Sequence, residues 1–210
     1  MKFKFVLSCL LVFISPSTGL ASKDRLHTFF NEVTSLQARF EQQVIDEEGT
    51  TLERTSGNFY LQRPGKFRWD YVSDDPEVEQ GLQIYSDGKL ITFFNPDFDS
   101  ATQRSMLDAL EQVPTLAIVQ SGESLDAFFN ISEYGITDGL SWVGLKPKNE
   151  EFSYQGLLLG FDSTQLKSIV ITDGFGRETR LTLLDVKTNP KLKSDVFSFT
   201  PPPGVDVSQQ

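Results

Sequence analysis

The sequence predicts a mainly β protein of about eleven antiparallel strands, joined by short turns and curled into a barrel or a strongly curved sheet. Three observations carry this. Apolar and polar residues alternate with period two over most of the chain from Leu36 onward. Asp-Gly pairs punctuate the pattern at Asp87-Gly88, Asp138-Gly139 and Asp173-Gly174, each a hairpin signal. The aromatic content is high, with 18 Phe among 210 residues, so much apolar surface must be hidden.

The first 21 residues stand apart. Lys2 and Lys4 form a positive n-region, and Phe5 to Ile14 is apolar except for Ser8 and Cys9. Gly19-Leu20-Ala21 offers small residues at a cleavage spacing. The pattern is that of a secretory signal peptide, with the mature chain, one domain over 22–210, starting at Ser22. Cys9 is the sole cysteine. Too little apolar sequence precedes it, and too much follows, for a lipid-attachment site. Its removal leaves neither a disulfide nor a thiol nucleophile.

The chain carries 19 basic and 29 acidic residues. Without Lys2 and Lys4 the balance is 17 against 29, a net charge of −12. Such a chain suits neither nucleic acid nor an anionic lipid surface.

In chain order, Leu26, Phe29, Phe30, Val33 and Leu36 recur at helical spacing, which predicts an amphipathic helix over about Lys23–Val33. Leu36, Ala38, Phe40, Gln42 and Val44 then alternate as a strand, and Thr51 to Leu61 makes the next. Arg63-Pro64-Gly65-Lys66 reads as a type II turn, Pro setting φ and Gly supplying φ > 0. Past it, Phe67, Trp69 and Tyr71 share one face of a strand, with Lys66, Arg68 and Asp70 on the other. On residue type alone, an arginine beside a turn is a solvated surface charge.

Strands are expected over Leu82–Ser86 and Leu90–Phe94, with Ser100–Ser105 as a further one. The β pattern breaks between residues 100 and 130. Pro114 can begin a short helix containing Leu116 and Ile118, and Ser124 can cap another through Phe128. These apolar pieces either pack over a sheet edge or form a lid that opens at low cost. Strands resume at Ile131–Ile136, Leu140–Leu145, Phe152–Phe161, Leu166–Thr172 and Glu178–Val186. Phe197-Ser198-Phe199 is expected to close the pattern before Pro201-Pro202-Pro203 stops pairing.

Catalytic chemistry is scarce. His27 is the only histidine, so no His-based metal triad exists. No nucleophile elbow, phosphate loop or dinucleotide fingerprint is present. No enzyme activity, metal or cofactor is expected; a carboxylate pair of the glycosidase kind is the enzymatic alternative, but nothing singles one out.

Four segments together resemble a known family, the periplasmic outer-membrane lipoprotein carriers (LolA family). They are L-H-T-F-F-N-E-V-T-S-L-Q-A-R-F from Leu26, R-P-G-K-F-R-W from Arg63, S-D-G-K-L-I-T-F-F-N-P from Ser86, and F-S-F-T-P-P-P-G-V-D-V from Phe197. The resemblance implies an unclosed antiparallel β-barrel with short α-helices forming a lid over an apolar cavity for acyl chains. It implies that Arg63 latches the lid by hydrogen bonds to the covering helices. It implies that Leu26, Phe30, Leu36, Phe67, Trp69, Pro114, Leu116 and Ile118 line the cavity or lid. It further implies a monomer that takes acylated lipoproteins from an inner-membrane ATP-driven (ABC transporter) release complex and hands them to an outer-membrane receptor. The alternative is a related lipid or glycolipid binding module of the same fold.

Overall fold

The computed structural model describes residues 22–72, 81–106, 109, 119, 122–149 and 154–209. The predicted signal peptide and the lid positions Pro114, Leu116 and Ile118 lie outside the described residues.

The chain opens with α1 (Ser22–Glu32) and continues through β1 (Ser35–Ile45), β2 (Thr51–Gln62), β3 (Lys66–Val72), β4 (Gln83–Asp87), β5 (Leu90–Asn95) and β6 (Ser100–Ser105). A short helix α2 (Gly122–Phe128) leads into β7 (Phe129–Thr137), β8 (Leu140–Pro147), β9 (Tyr154–Phe161), β10 (Leu166–Asp173) and β11 (Glu178–Thr188). A 3-10 turn (Ser194–Phe197) and β12 (Asp206–Gln209) end it. Among the described residues one sheet holds all twelve strands, in the order β12-β6-β5-β4-β3-β2-β1-β11-β10-β9-β8-β7. The sheet does not close, because β7 and β12 lie at opposite ends of that order.

Register explains the core. Residues directly opposite on neighbouring strands point to the same face. Ala38, Phe59, Trp69, Ile84 and Phe93 are opposite one another across β1 to β5, and so form one inward row. Leu36, Leu61 and Phe67 form the row nearer the Arg63 turn. On the other half, Leu181, Ile169, Leu159 and Val143 repeat the device from β11 to β8. These residues and the apolar side of α1 make one contiguous core. Phe40 closes edge-on against both Trp69 and Tyr71, at 5.4 and 5.2 Å between ring centroids.

The turns follow their residues. Asp138 and Gly139 both take positive φ, at 53° and 75°, as a two-residue hairpin loop needs. The Asp87 carboxylate accepts from the backbone N–H of Lys89 and of Leu90, which holds it below the usual carboxylate range.

Two expectations need correction. Phe197-Ser198-Phe199 is not a strand: Ser194–Phe197 is a 3-10 turn, and the last strand is β12, beyond the prolines and parallel to β6. The reason is packing. Phe197 is buried, and the Phe199 ring lies 5.5 Å from that of Tyr85 and 5.2 Å from that of Phe94. The segment therefore covers the outer face of β4 and β5 instead of pairing. The twelve strands among the described residues agree with the expected count of about eleven, and β12 is the one that runs parallel to its neighbour. Finally, α2 begins at Gly122, so Ser124 lies within the helix and is not its cap.

Candidate functional site

The site is built where α1 meets the β2–β3 turn. Gly65 has φ 70°, as the turn reading requires, and the Arg63–Pro64 peptide is cis. The turn is braced from β4. Ser86, buried opposite Phe67, donates its hydroxyl to the Gly65 carbonyl at 2.9 Å and accepts from the Gly88 N–H at 3.1 Å. A Cβ on Gly65 would meet the Gly88 Cα at 3.2 Å, so the two hairpin tips touch and glycine suits the contact.

From this braced turn Arg63 reaches α1. Its Nε donates to the Val33 carbonyl at 2.9 Å, and its backbone N–H donates to the Thr34 carbonyl at 2.8 Å. The guanidinium lies over the Phe30 ring at 4.6 Å and the Phe29 ring at 5.1 Å. Burial pushes its pKa down to about 10, which still leaves it charged at neutral pH. It is therefore no ordinary surface charge. It is a cation drawn in among aromatic rings to satisfy a carbonyl at the helix exit, where such oxygens lack partners within the helix. The same turn also touches the segment in which the lid was expected: the Gly65 N–H donates to the carbonyl of Val119, a fully buried residue, at 3.4 Å.

The helix is held along its length. Leu26, Phe29 and Phe30 are buried, and Phe29 packs edge-on against Phe161 at 5.8 Å. Arg25 donates to the Asp162 carbonyl, and the Lys23 N–H donates to Glu133 on the edge strand β7. At its exit stands Asn189, which the sequence reading missed. Its Oδ1 accepts from the Thr34 N–H at 2.8 Å and the Thr34 hydroxyl at 3.1 Å. Its Nδ2 donates to the Glu32 carbonyl at 3.0 Å. The Asn189-Pro190 pair signals a turn, but nothing local indicates that this side chain reaches back to α1. Ser86, hidden in a period-two strand, was equally silent.

Of the residues expected at the site, Leu26, Phe30, Leu36, Phe67 and Trp69 are brought together in the buried core, with Arg63 beside them. Among the described residues no group of three or more His, Cys, Asp and Glu side chains is placed to hold a metal. Among those residues no helix is long and apolar enough to cross a membrane.

Fold and site define a class: an open β-sheet curled around an apolar interior, with an amphipathic helix held over one end by a partly buried arginine. The family model for the outer membrane lipoprotein carrier protein LolA matches residues 31–200, and the chain belongs to this family. It is 34% identical over 207 residues to the outer-membrane lipoprotein carrier protein of Methylococcus capsulatus, covering 98% of this chain and 96% of that one. It is 35% identical over 207 residues to that of Nitrosomonas europaea, with the same two shares covered. The crystal structure of an uncharacterized conserved protein from Thermus thermophilus matches with a TM-score of 0.54, over 90% of this chain and 97% of that one. At 12% identity that likeness shows the fold alone.

Proposed function

We propose that this protein is a periplasmic carrier of acylated lipoproteins and not an enzyme. Residues 1–21 direct export and are removed, and residues 22–210 work as one carrier domain and as a monomer. An inner-membrane ATP-driven release complex loads it, and an outer-membrane receptor unloads it. The observation that carries the reading is the Arg63 contact with the exit of α1, at the rim of an apolar interior, in a chain of the lipoprotein carrier family.

The energetics suit the role. Each buried methylene contributes roughly 0.8 kcal/mol, so one sixteen-carbon chain gains about 12 kcal/mol in a dry interior. A carrier must hide such chains and still release them. A closed state stabilised by its own packing, with Arg63 holding the helix, competes with cargo. Loading breaks the latch, which lowers net affinity and makes transfer to a tighter receptor downhill. Pro114, Leu116 and Ile118 are proposed as parts of the lid that moves with it.

The test adds the purified mature chain to spheroplasts of a Gram-negative bacterium. The expected result is soluble complexes with newly made acylated lipoproteins and none with unacylated ones. A well-folded protein that releases no lipoprotein, yet binds an apolar dye, would overturn the cargo assignment and leave a carrier of some other lipid.

A further inference from the structure

Trp69 holds a buried donor for which the described residues supply no acceptor. Its side chain is 2% exposed, in the inward row between Phe59 and Ile84. The ring is enclosed by aromatic neighbours, with Phe59 at 4.4 Å, Phe40 at 5.4 Å and Tyr71 at 6.5 Å between centroids. Its Nε1–H is fully buried and has no acceptor among the described residues. Thr55 Oγ1 is likewise buried and without a partner among them, on a residue that is only half-buried as a whole. The other tryptophan is a contrast: the Trp142 Nε1–H donates to the Thr137 carbonyl at 3.2 Å.

A buried N–H without an acceptor is rare in native proteins, because burial removes its water and nothing replaces it. A phenylalanine would fill a wholly apolar interior without that loss. Trp69 is three residues along β3 from Lys66, which puts it roughly 10 Å in from the turn at the rim. An acyl chain entering by that rim carries one strong acceptor, the carbonyl at its head.

We propose that the Trp69 indole N–H is a recognition site for the acyl carbonyl of the cargo, so that the interior binds acyl groups in preference to plain hydrocarbon. The inference rests on the carrier reading and adds a polar contact to it. When the site is occupied, the carbonyl oxygen accepts from Nε1 and satisfies the donor. The carbonyl also fixes how far the chain slides in, which hydrophobic burial alone cannot do because it has no direction.

With two tryptophans in the chain, indole N–H resonances in a nitrogen-15 correlation spectrum are simple to follow, and a Trp142→Phe variant assigns them. The mature protein is titrated with methyl palmitate and, separately, with hexadecane, both delivered from cyclodextrin. Binding is monitored by displacement of an apolar dye. The expected result is a downfield shift of the Trp69 N–H proton with methyl palmitate only, with Trp142 unmoved. A triacylated lipopeptide should give the same shift. Failure there, with methyl palmitate effective, would assign the site to free fatty acyl groups and overturn the inference for lipoprotein. If both simple ligands displace the dye and the Trp69 signal does not separate them, the inference falls and the carrier reading stands. If none of the three ligands displaces the dye, the apolar interior is no binding site, and the carrier reading fails with the inference. A folded Trp69→Phe variant should narrow the methyl palmitate preference about fivefold, the equivalent of one net hydrogen bond of about 1 kcal/mol.

Discussion

Arg63 Nε lies 2.9 Å from the Val33 carbonyl oxygen, and its guanidinium covers the Phe30 ring at 4.6 Å. One side chain thus joins the tip of the β2–β3 hairpin to the exit of α1 by a charge-assisted hydrogen bond and an aromatic contact. Both would be lost together if the helix moved away.

Replacing Arg63 by Leu keeps the fold, since the turn is braced independently by Ser86. The cargo-free protein should lose about 1.5–3 kcal/mol, the range for a hydrogen bond to a charged group. Cargo should be held more tightly and passed on poorly. Chemical denaturation and transfer to receptor-bearing outer-membrane vesicles check the two halves. Normal transfer would remove the latch role.

Asn189 holds the same helix exit from the other side, through its bonds to Thr34 and Glu32. Asn189→Ala should cost about 1–2 kcal/mol, since several hydrogen bonds go but the site is exposed. Hydrogen exchange should accelerate in α1 and leave the β9–β10 pair unchanged. Uniform acceleration would mean global destabilisation and no particular hold on the helix.

Gly57 leaves space that Phe40 needs. A Cβ there would meet ring carbons of Phe40 at 2.7 Å and run into the backbone oxygen of Asp70. Gly57→Ala should therefore destabilise by about 1–3 kcal/mol through overpacking, against the usual gain from restricting an unfolded glycine. A denaturant midpoint equal to that of the parent would show that β2 and β3 can shift apart at no cost.

Burial pushes the Tyr71 phenol from 10.0 up to about 12, and the Glu53 carboxylate adds to the shift. The folded state then holds this proton more tightly than the unfolded chain. Its contribution is complete below about pH 10 and is lost as pH rises through about 12, about 2–3 kcal/mol in all. Burial raises Tyr154 as well, with the same sign. The denaturant midpoint should fall over this window, and Tyr71→Phe should flatten part of that fall. An identical fall in the variant would place the alkaline sensitivity elsewhere.

The strands were legible because their pattern is local. Period-two alternation and Asp-Gly turns located β1 to β11 within a few residues, since most inward side chains in an antiparallel sheet are apolar wherever the face is covered. The helical spacing of Leu26, Phe29 and Phe30 placed α1 for the same reason. The C-terminal segment was misread because Phe197 and Phe199 bury themselves against an outer face formed by Tyr85 and Phe94, a surface that no nearby residue announces.

Local pattern accounts for the curved β architecture, the shared face of Phe67, Trp69 and Tyr71, and the Arg63-Pro64-Gly65 turn. All of these follow from residue type and spacing over a dozen positions. What the turn holds is settled by packing between distant segments. That Arg63 meets Val33, that Asn189 reaches Thr34 across 155 positions, and that the Trp69 N–H finds no acceptor among the described residues are long-range outcomes of packing. Such contacts depend on which faces the folded sheet brings together, and no local pattern encodes that choice.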